Sequence, residues 1–488
     1  MRNYDLMYNK KYYIKEVNMK KVLLTGANGY IGRRLKHALL NNTKIHLRLM
    51  VRNANSVSSG VREIVDIVSA DVLKPDTLDD ALKGIDTAYY LIHGLQHNDF
   101  QSLDKTSAQN FLDACVRQGV QRIIYLGGLG DKQTGSEHLL SRIETGEILS
   151  SRPEIVQCIW LRAGIIIGSG SSSFEIIRNL VEKLPVMLTP KWVSTLITPI
   201  GVDDVISYLV QSLELQINTT IMVDLGEEQM SYRDLMLRTA KAMELNRYLI
   251  PINILTPKLS SYWLILFTPV PYSVASSLVE GLKSKVITTN NLRYKYFHVA
   301  AKKLEVAVQK AIQEIESNQV ISRWSDSGYG AWEVDDIYSI ADAVFVDRKV
   351  YNLGDISSKR VYESFCKVGG GHGWFQYNWL WNMRGFIDKI FKGAGINRGR
   401  RDNNYLRIGD SVDFWKVIDL VDDERLLLFA QMKLPGKAWL EFKIHNGQLI
   451  QSAYFYPKGL WGRVYWYALI PLHYFIFTNM IKSIINRA

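Results

Sequence analysis

Short apolar runs alternate with longer amphipathic segments over the first part of the chain. The runs predict buried β-strands at residues 22–24, 46–52, 64–68, 87–93 and 122–128. Between them, apolar residues recur about every three to four positions, which predicts helices, most clearly over 33–40 and 100–118. Strands that alternate with helices in this way indicate an α/β fold with a parallel, doubly wound sheet.

The same alternation continues to about residue 316, where it takes a less regular form. Residues 157–163 predict another buried strand, and Ser231 with Asp234 predicts a capped helix start. We interpret these later segments as a small substrate lobe over the sheet. The apolar stretch 262–279 contains Pro269 and Pro271, which predicts a broken buried hairpin rather than a membrane-spanning helix of about 20 apolar residues.

The pattern changes after a polar, glycine-containing segment at 317–330. Strand-like runs follow at 361–367, 411–421, 425–432 and 438–445, and then a last apolar helix at 459–485. His445-Asn446-Gly447 is a strong hairpin signal. We therefore predict three parts: a disordered extension or misassigned start at 1–18, an α/β domain with its lobe at 19–316, and an α+β domain at 331–488.

Composition and charge narrow the class of protein. A length of 488 residues indicates two or three domains. The net charge of +11 favours anionic partners, although no single basic block dominates and a generally basic surface explains it as well. Helix-turn-helix and zinc-finger patterns are absent from the sequence, so we predict no nucleic-acid partner.

The cysteines argue against a disulfide or metal framework. Cys115, Cys158 and Cys366 are odd in number, widely spaced and without a C-x-x-C motif. This usage predicts no metal site and a reducing, cytoplasmic location.

A glycine-rich turn, TGANGYIG at residues 25–32, joins the first predicted strand to the first predicted helix. In this context Gly26 permits the tight turn, Gly29 lets a pyrophosphate approach the backbone, and Gly32 lets the helix lie close to the strand. The helix N-terminus offers free N–H groups and partial positive charge to phosphates. The turn therefore predicts dinucleotide binding.

This T-G-x-x-G-x-x-G spacing resembles that of the atypical and extended short-chain dehydrogenase/reductases, including the NmrA-related NAD(P)-binding proteins. The S-R-x-E stretch at 141–144 resembles that of the YbjT-like members, which lack the usual catalytic tyrosine. The resemblance implies a Rossmann fold, a nicotinamide dinucleotide as cofactor, and an adenine pocket lined by Asp71 and Val72. It also implies that His93 and Gly127, at two strand ends, face the nicotinamide side. The remaining predicted cofactor contacts in the turn are Thr25, Gly26, Asn28, Gly29, Tyr30, Ile31 and Gly32.

Arg52 bears on which dinucleotide is bound. It ends the second predicted strand, where an acidic residue would bind the ribose hydroxyls of NAD and an arginine suits the 2′-phosphate of NADP. Arg33, just inside the first helix, could add a second cationic contact. The alternative for both is a solvated surface charge. We predict that NADP(H) is preferred, with NAD(H) as the alternative.

The candidate chemistry lies on the helix after the fifth strand. In the resembled family a Tyr-x-x-x-Lys pair donates the proton and holds the ribose, and this helix lacks that pair. His138 and Arg142 share the same spacing and therefore one helix face, as candidate acid and ribose-holding cation. The alternative is that both are helix-surface residues, with Arg142 paired to Glu144 or Glu147 or only touching cofactor.

The tryptophan-rich C-terminal region resembles a domain of unassigned function that often follows this Rossmann type. An antiparallel sheet closed by one long helix also resembles the helix-grip (START-like) fold, which implies an apolar cavity and a lipidic or aromatic ligand. The tryptophans that could line it are Trp374, Trp379, Trp381, Trp415 and Trp439, with core packing as the alternative. For residues 464–480 we favour a packed closing helix; the alternative is peripheral or integral membrane contact, which the net positive charge supports.

Three functions remain open at this point. The first, which we favour, is an NADPH-linked oxidoreductase that reduces a small apolar substrate. The second is a non-catalytic NADP(H)-binding redox sensor, favoured by the missing Tyr-x-x-x-Lys pair. The third is a protein that binds lipid or another hydrophobic ligand at the membrane surface.

Overall fold

The computed structural model describes most of the chain. The described residues are 19–52, 54, 57, 61, 64–93, 100–130, 132–133, 135–252, 281, 284–317, 320–322, 343–374, 378–390, 400–432, 434–457 and 459–488. The predicted extension at 1–18 and the predicted hairpin at 262–279 lie outside them.

The N-terminal domain consists of alternating strands and helices. Its strands are β1 (Lys20–Leu24), β2 (Ile45–Val51), β3 (Asp66–Ser69), β4 (Thr87–Tyr90), β5 (Arg122–Gly128), β6 (Gln157–Ala163), β7 (Ile166–Ile167), β8 (Val186–Thr189), β9 (Leu196–Ile197), β10 (Ile200–Gly201), β11 (Ile221–Leu225), β12 (Met230–Ser231) and β13 (Tyr248–Pro251). Its α-helices are α1 (Tyr30–Leu40), α2 (Leu78–Leu82), α3 (Phe100–Gln118), α4 (Glu137–Leu149), α5 (Ser172–Lys183), α6 (Val202–Gln211), α7 (Tyr232–Ala242), α8 (Leu292–Tyr296) and α9 (Leu304–Glu316).

Seven parallel strands form the main sheet, in the order β11-β6-β5-β4-β1-β2-β3. The strand order reverses between β1 and β4. In doubly wound sheets ligands bind at such a reversal, beyond the carboxyl ends of the strands. The predicted parallel α/β sheet is confirmed, and its topology places a ligand crevice after Leu24 and Tyr90.

Both faces of this sheet are buried, which is why its strands are apolar almost throughout. Neighbouring residues of β1 point to opposite faces, so Val22 and Leu24 join one core cluster and Leu23 joins the other. The first cluster is covered by α1 and α6, and the second by α2, α3 and α4. Leucine or valine side chains buried this way each stabilise the fold by about 1.5–3 kcal/mol.

The smaller lobe is built from paired short strands and the helices α5, α7 and α9, which share one core cluster. A buried ion pair ties this lobe to the first helix. The Arg34 guanidinium donates to the backbone and side-chain oxygens of Ser169 at 3.0 and 2.7 Å, and to Glu314 of α9 at 3.1 Å. Only 4% of the Arg34 side chain is exposed, so these acceptors compensate a charge held away from water.

The C-terminal domain is an antiparallel sheet packed against helices. Its strands are β14 (Phe345–Asn352), β15 (Ser411–Val412), β16 (Trp415–Val421), β17 (Arg425–Ala430), β18 (Gly436–His445) and β19 (Gln448–Pro457), in the order β14-β19-β18-β17-β16-β15. Its α-helices are α10 (Ser358–Phe365), α11 (Asn378–Ile390) and α12 (Gly459–Asn486). The core cluster of this domain joins one sheet face to α10 and to the second half of α12.

Two local predictions in this domain have opposite outcomes. The hairpin between β18 and β19 is confirmed, with Asn446 and Gly447 at φ +49° and +68°, as a two-residue turn of this hand requires. The strand predicted at 361–367 is wrong, because most of it belongs to helix α10. Val361 and Phe365, four positions apart, both lie fully buried on one helix face, and the Phe365 ring stacks on Phe442.

Candidate functional site

The glycine turn after β1 has the geometry that the motif predicts. Gly26 has φ +64°, and a Cβ there would lie 2.4 Å from the Leu91 carbonyl oxygen. A Cβ at Gly32 would lie 2.0 Å from the Gly26 carbonyl oxygen, so only glycine fits both positions. At Gly29 a Cβ would meet only the Gly26 carbonyl oxygen, at 3.2 Å, which leaves the other side of this backbone open to an approaching group.

The start of α1 is suited to an anion. Gly29 is its N-cap and provides no side-chain cap, and the first turn of the helix contains no acidic residue. The first N–H groups of a helix and its dipole attract negative charge. The Nε atom of Arg33 donates to the Asn28 carbonyl oxygen at 2.9 Å, which holds a guanidinium against the turn. These residues fit a dinucleotide pyrophosphate.

The side chains of three other residues predicted to contact the cofactor, Thr25, Tyr30 and Ile31, make contacts within the protein itself. Thr25 is fully buried and donates from its hydroxyl to the Tyr89 carbonyl oxygen at 2.9 Å, which ties β1 to β4 across the point of reversal. The Tyr30 hydroxyl is buried beside Gly168, and burial raises its pKa. Ile31, in the first turn of α1, packs against the core cluster on that side of the sheet. Their assignment as cofactor contacts stays a prediction.

The adenosine side of the predicted site lies at the ends of β2 and β3. Arg52 follows the last residue of β2 directly and is half-buried. The Asp71 carboxylate accepts from the Leu73 backbone N–H at 3.0 Å and remains partly exposed. The Val72 side chain belongs to the buried core, so only its backbone is positioned to line a pocket. Cofactor contact by these residues stays a prediction.

The nicotinamide side of the predicted site contains a cluster of two histidines and an arginine. His93, just beyond β4, lies with its ring centroid 6.0 Å from that of His138 in α4. Arg142, one turn further along α4, donates from Nη2 to the Leu126 carbonyl oxygen at 2.7 Å. The structure thus brings together His138 and Arg142, which we predicted as a pair, and adds His93, which we predicted only as a cofactor contact.

The electrostatics of this cluster keep both imidazoles neutral. Burial and then the Arg142 guanidinium lower the pKa of His138 well below its usual value. Partial desolvation and then the Arg142 guanidinium also lower the pKa of His93, which keeps contact with solvent. The Nδ1 atom of His138 is buried and has no hydrogen-bond partner among the described residues. An unsatisfied ring nitrogen of this kind is normally paired with a ligand or water.

The position of α4 is held from two sides. The Ser141 hydroxyl donates to the buried carboxylate of Asp104 in α3 at 2.8 Å. The Tyr125 hydroxyl donates to the Arg142 carbonyl oxygen at 2.8 Å. Gly127 is also packed closely, because a Cβ there would lie 2.4 Å from Nε1 of Trp160. Gly127 therefore makes room for a buried tryptophan, and its predicted place beside the nicotinamide stays a prediction.

A second buried ion pair stands at the ends of β6 and β11, which sequence reasoning did not identify. Arg162 donates from Nε to Asp224 at 2.7 Å and from Nη2 to the Thr289 hydroxyl at 3.0 Å. Asp224 is fully buried and also accepts from the backbone N–H of Thr289 at 2.6 Å. The signal in the sequence was two charged residues inside apolar strands. The ion pair holds the segment near residue 289 against the sheet.

The five candidate tryptophans of the C-terminal domain do not share one surface. The indole of Trp374 donates to Asp413 at 2.7 Å and lies 4.8 and 6.0 Å, between ring centroids, from Trp381 and Trp415. Trp439 is buried against Phe429, whereas Trp379 is 63% exposed. Three of them therefore form one packed aromatic cluster, and a ligand cavity lined by all five is not the arrangement present.

Two family matches cover separate parts of the chain. Residues 26–151 match the family described as NAD(P)H-binding. Residues 339–480 match the family described as Protein of unknown function (DUF2867). No curated protein matches the chain. The N-terminal domain is an NAD(P)-binding Rossmann domain, and the helix-grip resemblance of the C-terminal domain stays a prediction.

Solved structures show the same fold for the N-terminal part. One is a nucleoside-diphosphate-sugar epimerase from Staphylococcus aureus, with 16% identity and a TM-score of 0.50, covering 59% of this chain and 99% of that chain. Another is a triphenylmethane reductase from Citrobacter sp., with 16% identity and a TM-score of 0.50, covering 60% of this chain and 99% of that chain. At this identity the likeness concerns the fold alone.

Proposed function

We propose that this protein is an NADPH-linked reductase of a small apolar carbonyl or enone substrate. The observation that carries the proposal is the cluster of His93, His138 and Arg142 at the carboxyl ends of β4 and β5. His93 follows β4, the strand that Thr25 of the glycine turn is hydrogen-bonded to, so the cluster and the turn lie at the same edge of the sheet. An NAD(P)-binding domain needs a polarising group at this place if it is to reduce a carbonyl.

The cofactor would be held by the backbone of the turn and by nearby cations. Gly26, Gly29 and Gly32 leave space for the pyrophosphate, and Arg52 directly follows β2, a position at which an arginine suits the 2′-phosphate of NADP. Arg33 supports the same choice because its guanidinium is fixed beside the turn. Bound NADPH supplies a hydride to the substrate.

Arg142 has the charge for the main catalytic role. Reduction of a carbonyl builds negative charge on its oxygen, and a fixed cation in a sheltered site stabilises that charge. The neutral His138 can donate an N–H hydrogen bond to the same oxygen. A neutral imidazole is a weak acid. The proton that completes the alcohol would therefore come from a water molecule that reaches the site beside His93, which is in contact with solvent.

One observation favours a second candidate, the non-catalytic redox sensor. Since burial and Arg142 lower the pKa of both imidazoles, the described residues of the site include no strong proton donor of the Tyr-x-x-x-Lys kind. A protein that binds NADP(H) without consuming it needs none. Both candidate functions predict that the protein binds NADPH, but only the reductase predicts that it oxidises NADPH with a substrate.

The experiment compares turnover with binding in the purified full-length protein. NADPH oxidation is followed at 340 nm over a panel of apolar aldehydes, ketones and enones, in the wild type, His138→Gln and Arg142→Gln. We expect Arg142→Gln to lower kcat by about 100-fold, as removal of one oxyanion-stabilising group does, with NADPH affinity changed by no more than about three-fold. His138→Gln should lower kcat by about ten-fold.

The pH dependence of kcat tests whether a histidine of the cluster donates the proton. The pKa of both imidazoles is lowered below the ordinary histidine value of about 6.5. Neither should therefore titrate between about pH 6 and 8, and kcat should stay constant over this range. A kcat that rises toward acid would instead assign the proton to an imidazolium. Tight NADPH binding without turnover of any substrate would favour the sensor, and turnover unchanged in both variants would remove them as the catalytic pair.

A further inference from the structure

The first half of α12 carries an exposed apolar surface on the C-terminal domain. Trp461 is 79% exposed, Tyr467 60% and Tyr474 66%. We call this surface the aromatic face of α12; its members are Trp461, Val464, Tyr467, Ile470, Leu472, Tyr474 and Phe475. Soluble monomers rarely expose so many large apolar side chains together, and such patches mark sites of interaction.

The second half of the same helix belongs to the core. Ile476, Phe477, Met480, Ile481, Ile484 and Ile485 are all buried in the main cluster of the domain. The Ser364 hydroxyl of α10 donates to the Ile484 carbonyl oxygen at 2.7 Å. This half is therefore part of the folded domain and cannot leave it without exposing its core.

These two halves exclude a helix that crosses a bilayer. Among the described residues one helix, Trp461–Asn486, is long and apolar enough to span a membrane by length and composition. The part outside the core extends only from Trp461 to Phe475, about 21 Å at 1.5 Å per residue. A bilayer core is about 30 Å thick, so this length fits a helix that lies in the membrane surface.

The residue types and charge of this region point to an anionic lipid surface. Tryptophan and tyrosine combine an apolar ring with a polar edge and are enriched where lipid headgroups meet acyl chains. Residues 446–488 contain no aspartate or glutamate and four basic residues, Lys458, Arg463, Lys482 and Arg487. A protein partner with an apolar groove would not require this absence of acidic residues, whereas anionic headgroups do favour it.

The aromatic face is held rigidly enough to insert as a unit. Trp466, on the opposite side of α12, stacks between Phe345 of β14 and Phe455 of β19, with centroid distances of 5.5 and 5.6 Å. The two ring pairs are nearly parallel, at 10° and 9°. The helix is therefore fixed to the sheet along one side. Two members of the aromatic face also touch β14, since Tyr467 lies edge-on to the Phe345 ring at 5.5 Å and Tyr474 lies beneath the Lys349 ammonium, yet both remain more than half exposed.

We propose that the aromatic face of α12 docks this protein onto the surface of an anionic bilayer, with the helix in the membrane plane. Trp461, Tyr467 and Phe475 enter the headgroup region, and Arg463 contacts lipid phosphate. The proposal is independent of the reaction in the N-terminal domain. It would bring that domain close to substrates that dissolve in lipid.

The first test is flotation of the full chain with vesicles of phosphatidylglycerol and phosphatidylcholine. We expect the wild type to float, and Trp461→Ser, Tyr467→Ser and Phe475→Ser together to lower the partition coefficient by at least about ten-fold. The matched control removes three equally exposed side chains elsewhere, with Tyr248→Ser, Tyr405→Ser and Ile155→Ser. It should float within about two-fold of the wild type.

A second measurement reports the position of the helix. The three native cysteines are buried, so Tyr467→Cys can be labelled with an environment-sensitive fluorophore, and Tyr248→Cys serves as the control. Anionic vesicles should shift the emission to the blue at position 467 only. The proposal is overturned if no vesicle binds the wild type, if both triple variants float equally, or if the aromatic face instead mediates dimerisation in sedimentation experiments without lipid.

Discussion

The crevice of the N-terminal sheet and the aromatic face of the C-terminal helix obtain their binding properties in different ways. In the crevice, backbone geometry at Gly26, Gly29 and Gly32 makes the room, and a few side chains at strand ends supply charge. On α12 the surface consists of side chains alone, spread over one helix. The first kind of site depends on the local path of the chain, whereas the second depends on which half of a helix the core leaves uncovered.

The largest expected effect tests whether the two regions are energetically separate. Phe365→Ala removes a fully buried ring from the C-terminal core and should lower the free energy of unfolding by about 3–5 kcal/mol. NADPH affinity should stay within about two-fold, because the glycine turn belongs to another core. Urea unfolding followed by tryptophan fluorescence and an NADPH titration measure the two quantities.

The exposed Phe386 provides the control for this experiment, since Phe386→Ala should change stability by less than about 0.5 kcal/mol. Loss of NADPH binding in a folded Phe365→Ala protein would show that the C-terminal domain is part of the nucleotide site.

The next largest effect tests whether NADPH binding depends on open backbone at Gly29. Gly29 has an extended backbone with φ −74°, which valine adopts, so Gly29→Val should fold and block only the approach of the pyrophosphate. We expect NADPH to bind at least about 100-fold more weakly, equivalent to about 2.7 kcal/mol. Calorimetric titration measures this affinity.

Gly371→Val is the matched control in the other domain, where a Cβ would meet only Asn403, at 3.6 Å or more. It should leave NADPH affinity unchanged. An unchanged affinity in Gly29→Val would instead remove the turn from the nucleotide site.

The smallest expected effect tests how much the charge of Arg52 contributes to the preference for NADPH over NADH. Arg52→Ala should weaken NADPH by about ten-fold and NADH by less than about two-fold, because only NADPH carries the 2′-phosphate. Arg117→Ala, which removes an exposed arginine paired with Asp79, is the control and should alter neither affinity. Equal weakening of both dinucleotides would contradict the assignment of Arg52 to the 2′-phosphate.

The sequence predicted the N-terminal fold well because its signals are local. Helix α3 and strand β5 have the predicted bounds, and the glycine turn lies where the motif places it. In the C-terminal domain the hairpin at Asn446-Gly447 was equally local and is confirmed. Residues 361–367 were misread as a strand although their apolar residues, at 361, 362, 365 and 366, have helical spacing. Val361 and Phe365 lie on one face of α10 and belong to the core of the domain.

The candidate site was predictable only as separate residues. His138 and Arg142 are neighbours on one helix, so their spacing was visible. His93 joins them through the parallel pairing of β4 and β5, which no short stretch of sequence encodes. Thr25 was predicted from the motif as a cofactor contact, and the structure adds a fold contact that the motif does not reveal, since its hydroxyl donates to the Tyr89 carbonyl oxygen between β1 and β4.

The ion pair between Arg34 and Glu314 makes the stability of the nucleotide-binding part depend on a segment far along the chain. Arg34 belongs to the helix that begins at the glycine turn, yet its compensating carboxylate comes from α9, far beyond the matched NAD(P)H-binding stretch. A shortened chain that ends before α9 would lose this carboxylate and leave the Arg34 guanidinium with the Ser169 oxygens and water as its partners, so we expect it to be less stable than the full chain. A fusion or truncation that carries the chain through residue 314 therefore keeps the native carboxylate partner of this cation.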